Sequence, residues 1–152
     1  MSAGAVIVAV VAWLVGSSLS ALGSGWHKLE HRFRAKEPFN GDQISLQTGY
    51  MRWGSRYYHT LKLGANADGL YIAAMLLARV AHPPLFIPWN EVSAIDHSRH
   101  FREGTLLTLG QKEQVPLWVF KSTGDWLQAY MPSDEEKMEK FYSEHGDGEP
   151  NA

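Results

Sequence analysis

The first 27 residues contain no Asp, Glu, Lys or Arg, and residues 3–22 are almost wholly apolar. A helix of about 20 residues is roughly 30 Å long, which matches the hydrocarbon core of a bilayer. We therefore predict a transmembrane helix over residues 3–25 that holds the rest of the chain beside a lipid surface. Two alternatives stay open, a cleaved secretory signal and a helix buried in a soluble core.

Positive charge follows the apolar segment closely, at Lys28, Arg32, Arg34 and Lys36, whereas no Lys or Arg precedes it. Lys and Arg tend to stay on the cytoplasmic side of a span. This asymmetry predicts a single-pass protein of the cell inner membrane, with its N-terminus outside and its domain in the cytoplasm. The four side chains are candidate contacts with the membrane surface, and Trp26 is expected at the headgroup level as an interfacial anchor.

Residues 26–38 are predicted to form a juxtamembrane amphipathic segment, helical as far as residue 35. Its apolar face has three members: Trp26, Leu29 and Phe33. Glu30 and Arg34 are four residues apart, a spacing that favours an ion pair on a helix. Gly23 and Gly25 are candidate hinges between this segment and the span.

Small residues recur every fourth position in the apolar helix, at Ala12, Gly16, Ser20 and Ser24. Such a stripe lets two transmembrane helices approach closely, so it predicts a homodimer. The alternative is that Ala, Gly and Ser are simply common in membrane spans, in which case the stripe has no special role.

From residue 43 onward the apolar side chains follow a period of two, which is typical of β-strands. We expect about seven short strands, over residues 44–50, 57–63, 70–77, 85–87, 92–96, 105–109 and 115–120. Asp68-Gly69 favours a tight hairpin turn, and residues 110–113 are expected to connect the last two strands. A sheet of short strands has unpaired backbone N–H and C=O groups at its edges, which promote aggregation. We therefore expect the sheet to close into a small barrel.

A short helix is expected to follow the last strand and to cap the barrel. Ser122 or Thr123 is its predicted N-cap, with Asp125 in the first turn and Pro132 after its end. Its predicted apolar stripe consists of Trp126, Leu127, Tyr130 and Met131.

Two sequence blocks carry a resemblance to a known fold: Asp-Gly-Leu-Tyr-Ile at residues 68–72 and Leu-Phe-Ile-Pro-Trp-Asn-Glu-Val at residues 85–92. With the order of elements, they resemble the pleckstrin-homology-like (PH-like) superfold, including its GRAM-like members. The whole chain is similar to a group of uncharacterised bacterial single-span membrane proteins. The resemblance implies a mainly β fold over residues 39–132, a PH-like split barrel of about seven strands capped by a C-terminal helix. A superfold hosts many activities, so none follows from it.

The tail, residues 133–152, carries seven acidic residues against two lysines. Ser133 and Glu136 are spaced for a capping box, which predicts a short helix over residues 134–143. The last residues have the composition of a disordered segment. The rest of the chain is only mildly basic, which does not indicate nucleic-acid binding.

No recognisable constellation for catalysis is present. The chain has no phosphate-binding glycine loop, no nucleophile elbow and no cysteine. Asp96, His97 and Ser122 can be combined into a triad, but such triples arise by chance. We therefore predict no catalytic residue and no cofactor.

Two histidine pairs are candidate metal ligands. His97 and His100 are three residues apart, and His27 and His31 would share one face of a helix. Neither pair has the third and fourth ligands that zinc requires at a recognisable spacing. We therefore predict no metal site, with a polar loop in the first case and interfacial histidines in the second.

Aromatic and basic residues interleave around Arg52 and Arg56, and Trp89 lies among prolines. These three are candidates for a partner or lipid surface, and an exposed Trp89 would indicate a peptide-binding groove. The leading hypothesis is a non-enzymatic, membrane-anchored interaction module that binds a protein partner. One alternative is a sensor of anionic lipid headgroups with a basic concave face near Arg52, Arg56 and Lys62. The other is an enzyme whose site is spread over non-contiguous residues.

Overall fold

The computed structural model describes residues 2–52, 55–75, 79, 81–99 and 102–145. For Ser20, Arg102, Phe141, His145 and residues 96–99 it describes the backbone alone.

The chain forms four helices and seven strands within the described residues. The helices are α1 (Ala3–Ser24), α2 (Trp26–Phe33), α3 (Lys121–Gln128) and α4 (Asp134–His145). The strands are β1 (Asp42–Met51), β2 (Arg56–Ala65), β3 (Gly69–Ala74), β4 (Leu85–Pro88), β5 (Val92–Arg99), β6 (Arg102–Leu109) and β7 (Val115–Phe120).

The seven strands form one antiparallel sheet in the order β4-β3-β2-β1-β7-β6-β5, curled into a nearly closed barrel. The two outermost strands follow each other in the chain and are joined by a single 3-10 turn, Trp89–Glu91. The edge of β4 is partly covered, because Arg34 forms a bridge with Leu85. The predicted mainly β class is thus confirmed, and each predicted strand overlaps an observed one.

The predicted hairpin turn at Asp68-Gly69 is observed between β2 and β3. The side-chain oxygen of Asn66 accepts hydrogen bonds from the backbone N–H groups of Asp68 and Gly69, at 2.9 and 3.0 Å. Such a bond from an Asn side chain to the backbone two residues on is the usual chemistry of an Asx turn. It fixes the register in which Ala65 faces Leu70.

Alternation along the strands places one set of aliphatic side chains inside the barrel. Its fully buried members include Leu61, Leu63, Leu70, Ile72, Leu85, Ile87, Leu107, Leu109 and Leu117. Helix α2 adds Trp26, Leu29 and Phe33 to the same cluster. The apolar face predicted for α2 is therefore confirmed, and it packs into the protein core.

Helix α1 is the one helix among the described residues that is long and apolar enough to cross a membrane. Its most apolar window has a mean hydropathy of 2.2, and only 6% of that window is buried. A helix in a soluble core is mostly buried, so the structure does not support that alternative. A signal sequence near the N-terminus meets the same criterion of length and composition.

The break between α1 and α2 lies at Gly25, which has a left-handed backbone with φ of 87°. A methyl group added there would lie 3.0 Å from both methyl carbons of Val115. Gly23, the other predicted hinge, remains inside α1. Ser24 is buried, and its hydroxyl accepts the Trp26 backbone N–H at 3.3 Å. Ser24 therefore belongs to the junction and cannot contribute to an open dimerisation stripe.

Helix α3 packs across β6 and β7. It begins at Lys121 with Phe120 as the N-cap, so the predicted capping by Ser122 or Thr123 was wrong. Gly124 lies directly against Thr105, which leaves no room for a side chain at position 124. Leu127 is buried, and the other three residues of the predicted stripe are partly buried against the core.

The capping box predicted for α4 is confirmed. The backbone N–H of Ser133 donates to the Glu136 carboxylate at 2.9 Å, and the Glu136 N–H donates to the Ser133 hydroxyl at 3.2 Å. The disorder expected after residue 145 lies outside the described residues.

Candidate functional site

The inner face of α2 overturns one expectation about the membrane surface. Trp26 has a relative exposure of 0%, its indole N–H donates to the carbonyl of Pro83 at 2.9 Å, and its ring meets His82 edge-on at 4.9 Å. An interfacial anchor must reach the headgroups, so the expected role of Trp26 was wrong. This residue instead fastens α2 to the segment before β4.

The outer face of α2 carries an ionic cluster that joins three parts of the chain. The Arg32 guanidinium lies 2.8 Å from the Glu91 carboxylate and 3.0 Å from that of Glu113. Hydrogen bonds to Glu91 and Glu113 raise the pKa of Arg32. The pKa of Glu91 is lowered, first by a hydrogen bond from the Gln111 backbone N–H and then by Arg32. Arg32 therefore links α2 to the 3-10 turn before β5, which holds Glu91, and to the connection between β6 and β7, which holds Glu113.

The other predicted membrane contacts are distributed differently. Arg34 pairs with Glu30 at 3.1 Å, as the spacing predicted. Lys28 and Lys36 are exposed. The two arginines thus already have carboxylate partners within the protein, whereas the two lysines present their charge to the surroundings.

Trp89 does not line an open groove. It is only 3% exposed, and its indole N–H donates to the Asn66 carbonyl at 2.8 Å. The exposed Trp89 required for a peptide-binding groove is therefore not observed, and the tryptophan closes the barrel where β4 turns into β5.

The three cationic residues expected on one concave face do not lie together. Arg52 and Arg56 flank the β1–β2 connection, whereas Lys62 lies farther along β2 and pairs with Ala73 of β3. Lys62 lies six residues after Arg56 in β2, and an irregularity in the β1–β2 register falls between them. The structure therefore does not bring the three residues together, as a single basic face requires.

A different positively charged groove exists on the outside of β2 and β3. This cationic groove encloses about 600 Å³, and its charged lining residues are Lys36, Glu37, Lys62 and Arg79. Its wall is the chain between α2 and β1, where Phe39 stacks on Tyr71 at 4.8 Å. Three positive groups against one negative group favour an anion. Sequence reasoning missed the groove because its lysines and arginine are far apart in the chain.

A second surface is apolar and lies on the opposite part of the sheet. Register places Ile95, Leu106, Trp118 and Tyr50 side by side across β5, β6, β7 and β1. Tyr50 meets the Trp118 ring at 5.3 Å. Ile95 is 62% exposed, Tyr50 and Leu106 are partly exposed, and Trp118 is only 4% exposed. We call this row the outer aromatic face. Exposed apolar surface gathered in one place is typical of protein interaction sites, and Ile95, Leu106 and Tyr50 supply it here around a buried Trp118.

Trp118 is the centre of the outer aromatic face. Its indole lies flat on Gly104, where an added methyl group would come within 2.3 Å of the ring. Phe120 packs edge-on against it at 5.1 Å. Arg56 flanks this face and donates to the Tyr58 hydroxyl at 3.3 Å. One of the residues predicted for a partner or lipid surface therefore borders the outer aromatic face.

Within the part of the chain that the structure describes, no cluster of three or more His, Asp or Glu side chains could hold a metal ion. The side chains of Asp96 and His97, and the whole of His100, lie outside the described residues. The triad and the His97–His100 pair are therefore untested.

Comparison with known proteins gives no match to a family model, a curated protein or a solved structure. The resemblance to PH-like proteins consequently rests on the two sequence blocks and the order of elements.

Proposed function

We propose that this chain is a single-pass membrane protein whose PH-like barrel lies at the cytoplasmic face and acts as a non-enzymatic interaction module. The observation that carries the proposal is the junction at Gly25. A mostly exposed helix without charged residues passes within one residue into a helix whose apolar face is buried in the barrel. A barrel built onto the end of a span has a set position beside the membrane.

The PH-like assignment is supported by the arrangement of elements. Seven antiparallel strands are followed directly by α3, which packs on β6 and β7. The two sequence blocks that carry the resemblance occupy the start of β3 and the passage from β4 through the 3-10 turn into β5.

The cytoplasmic orientation is supported by the flanking charge. Topology is set during insertion by Lys and Arg near the span, and acidic residues contribute little. The pairing of Arg32 and Arg34 in the folded domain therefore does not weaken the argument. A reporter that is active only in the cytoplasm should be active when it is fused to the C-terminus, and one that is active only outside the cytoplasm should be inactive there. Recovery of the full-length chain in the aqueous fraction without detergent would contradict the anchor.

The outer aromatic face is the proposed docking surface for a protein partner. A photoreactive residue at Ile95 should give a reproducible protein adduct in native membranes, because that side chain is exposed in the row. Leu46, which is also exposed but lies outside the row, is the matched control position. Equal labelling from both positions, or none from Ile95, would contradict this assignment.

The cationic groove favours a second candidate function, the sensing of anionic lipid headgroups. A photoreactive residue at Lys62, with the full chain in nanodiscs, should label lipid when anionic lipid is present. The labelling should fall as salt is raised, because surface charges are screened beyond about 10 Å at 0.1 M salt. Lys140 on α4 is the control. Equal labelling in uncharged lipid would argue against this function.

A further inference from the structure

Two histidines of α2 meet on its exposed outer side, close to the junction with α1. The Nε2 atoms of His27 and His31 are 3.3 Å apart, and their rings are 4.7 Å apart in an edge-on arrangement. Histidines four residues apart lie on one face of a helix, as they do in helical zinc-binding motifs. Both histidines are exposed, and their Nε2 atoms lie within hydrogen-bond distance of each other.

The separation of the two nitrogens suits a shared ion. Zinc binds imidazole nitrogen at about 2.0–2.1 Å in tetrahedral geometry, which places two such nitrogens about 3.4 Å apart. The observed 3.3 Å separation therefore requires little movement of either ring. Imidazole is a preferred ligand of zinc, copper and nickel, whereas magnesium and calcium favour oxygen.

Glu30 is placed to select the tautomer that such binding needs. Its Oε2 atom lies 3.6 Å from Nδ1 of His27, and its Oε1 atom is held by Arg34 at 3.1 Å. A carboxylate beside Nδ1 favours the proton on that nitrogen and leaves the Nε2 lone pair for a metal. Histidine ligands in proteins usually have such a partner, which orients the ring.

We propose that His27 and His31 chelate one divalent late transition-metal ion, of which Zn²⁺ is the test case. Glu30 is a positioning residue, and water or an external ligand completes the coordination. With two protein ligands, binding should be weaker than at a structural zinc site with four. The site does not depend on the proposed interaction function, and it would place the ion just after the end of α1.

The test is competition between the full chain in detergent and a fluorescent zinc chelator, titrated with Zn²⁺ alone. His27→Gln and His31→Gln should each lower the affinity for Zn²⁺ at least about tenfold. The matched control is the double variant His97→Gln/His100→Gln, which removes the other histidine pair and should bind as the wild type does. Circular dichroism checks that each variant is folded.

The role of Glu30 needs a separate control, because Glu30→Gln also breaks the pair with Arg34. Arg34→Gln breaks that pair and leaves the carboxylate beside His27. Glu30→Gln should weaken zinc binding about tenfold, because losing a residue that orients a metal ligand typically lowers metal affinity by about 10- to 100-fold. Arg34→Gln should not weaken zinc binding. In ¹⁵N spectra of histidine-labelled protein, Zn²⁺ should shift the Nε2 signals of His27 and His31 rather than their Nδ1 signals.

Three results would overturn the site. They are wild-type affinity no greater than that of His27→Gln, loss of binding in the His97/His100 variant alone, and unchanged Nε2 signals at saturating Zn²⁺. None of them would affect the orientation and crosslinking experiments, so this proposal and the interaction module can fail separately.

Discussion

Helices α1 and α2 are neighbours in the chain, both contribute many apolar side chains, and they behave in opposite ways. Only 6% of the apolar window of α1 is buried, whereas the three apolar residues of α2 are almost completely enclosed. Helix α1 is apolar on every side, so no face of it is suited to water. Helix α2 has one apolar stripe and one charged face, which suits the boundary between a protein core and solvent. The distribution of apolar residues around the axis, more than their number, separates the two helices.

The largest expected effect comes from shortening a buried side chain of α2. Leu29→Ala should lower the free energy of unfolding of the barrel by about 2–5 kcal/mol, because it removes packing and leaves a cavity. Leu19→Ala in α1 is the matched control, since that side chain is 63% exposed, against 0% for Leu29. Urea unfolding in detergent, followed by tryptophan fluorescence, measures both. Similar losses for the two variants would break the contrast between the helices.

The converse change places a charge in α1. Val11→Arg should disfavour membrane insertion by about 2.5–3.5 kcal/mol, the cost of Arg at the centre of a span. The measurement is the fraction of the chain that stays with membranes after alkaline extraction, with Val11→Leu as the control. Barrel stability in detergent should not change, because Val11 lies on the exposed helix. An unchanged membrane fraction would mean that α1 does not hold the chain in lipid.

The junction itself should respond to a single methyl group. Gly25→Ala should cost about 1–2 kcal/mol, because a left-handed backbone is unfavourable for any residue with a side chain. The added carbon would also press on Val115. Gly23→Ala, inside α1 with open space around it, should be neutral or stabilising by up to about 1 kcal/mol. The measurement is the melting temperature of each variant relative to the wild type. An unchanged melting temperature for Gly25→Ala would show that the two helices are loosely connected.

The smallest effect is expected on the charged face of α2. Arg32→Gln should lower the melting temperature slightly, since exposed ion pairs contribute little. The pKa of Glu91 is lowered from its ordinary value of 4.5. The stability that this carboxylate contributes is therefore fully present above pH 4.5 and is lost as the pH falls through the lowered pKa. The difference from the wild type should therefore be present at neutral pH and shrink in acid. Arg34→Gln is the control, and a difference that grows in acid would contradict the assignment of Arg32 to Glu91.

Much of the local structure could be predicted from the sequence. The period of two predicts the strands, Asp68-Gly69 predicts the turn between β2 and β3, and the spacing of Ser133 and Glu136 predicts the start of α4. These features depend on residues within a few positions of each other, so local chemistry is sufficient. The prediction of an N-cap at Ser122 or Thr123 was wrong because the backbone leaving β7 already begins the helix at Lys121.

The candidate sites were predicted less well, because each combines distant parts of the chain. Trp26 was placed in the headgroups, although the carbonyl that accepts its hydrogen bond belongs to Pro83, 57 residues away. Their shared charge predicts one basic face for Arg52 and Lys62, yet Arg52 follows the end of β1 and Lys62 lies in the second half of β2. The register that aligns Ile95 with Leu106 and Trp118 becomes visible only when the strands are paired.

The sequence alone determined that one N-terminal helix is apolar on all sides, that a set of short strands follows, and where the tight turns fall. Side-chain period, length and turn chemistry are local properties, and they act before any distant contact forms. The tertiary structure decided that α2 belongs to the barrel, that Arg32 faces two carboxylates, and that Lys36, Lys62 and Arg79 share a groove. A helix stripe or a charge can be satisfied by lipid, water or protein, and the choice depends on which apolar surface the closing barrel leaves uncovered.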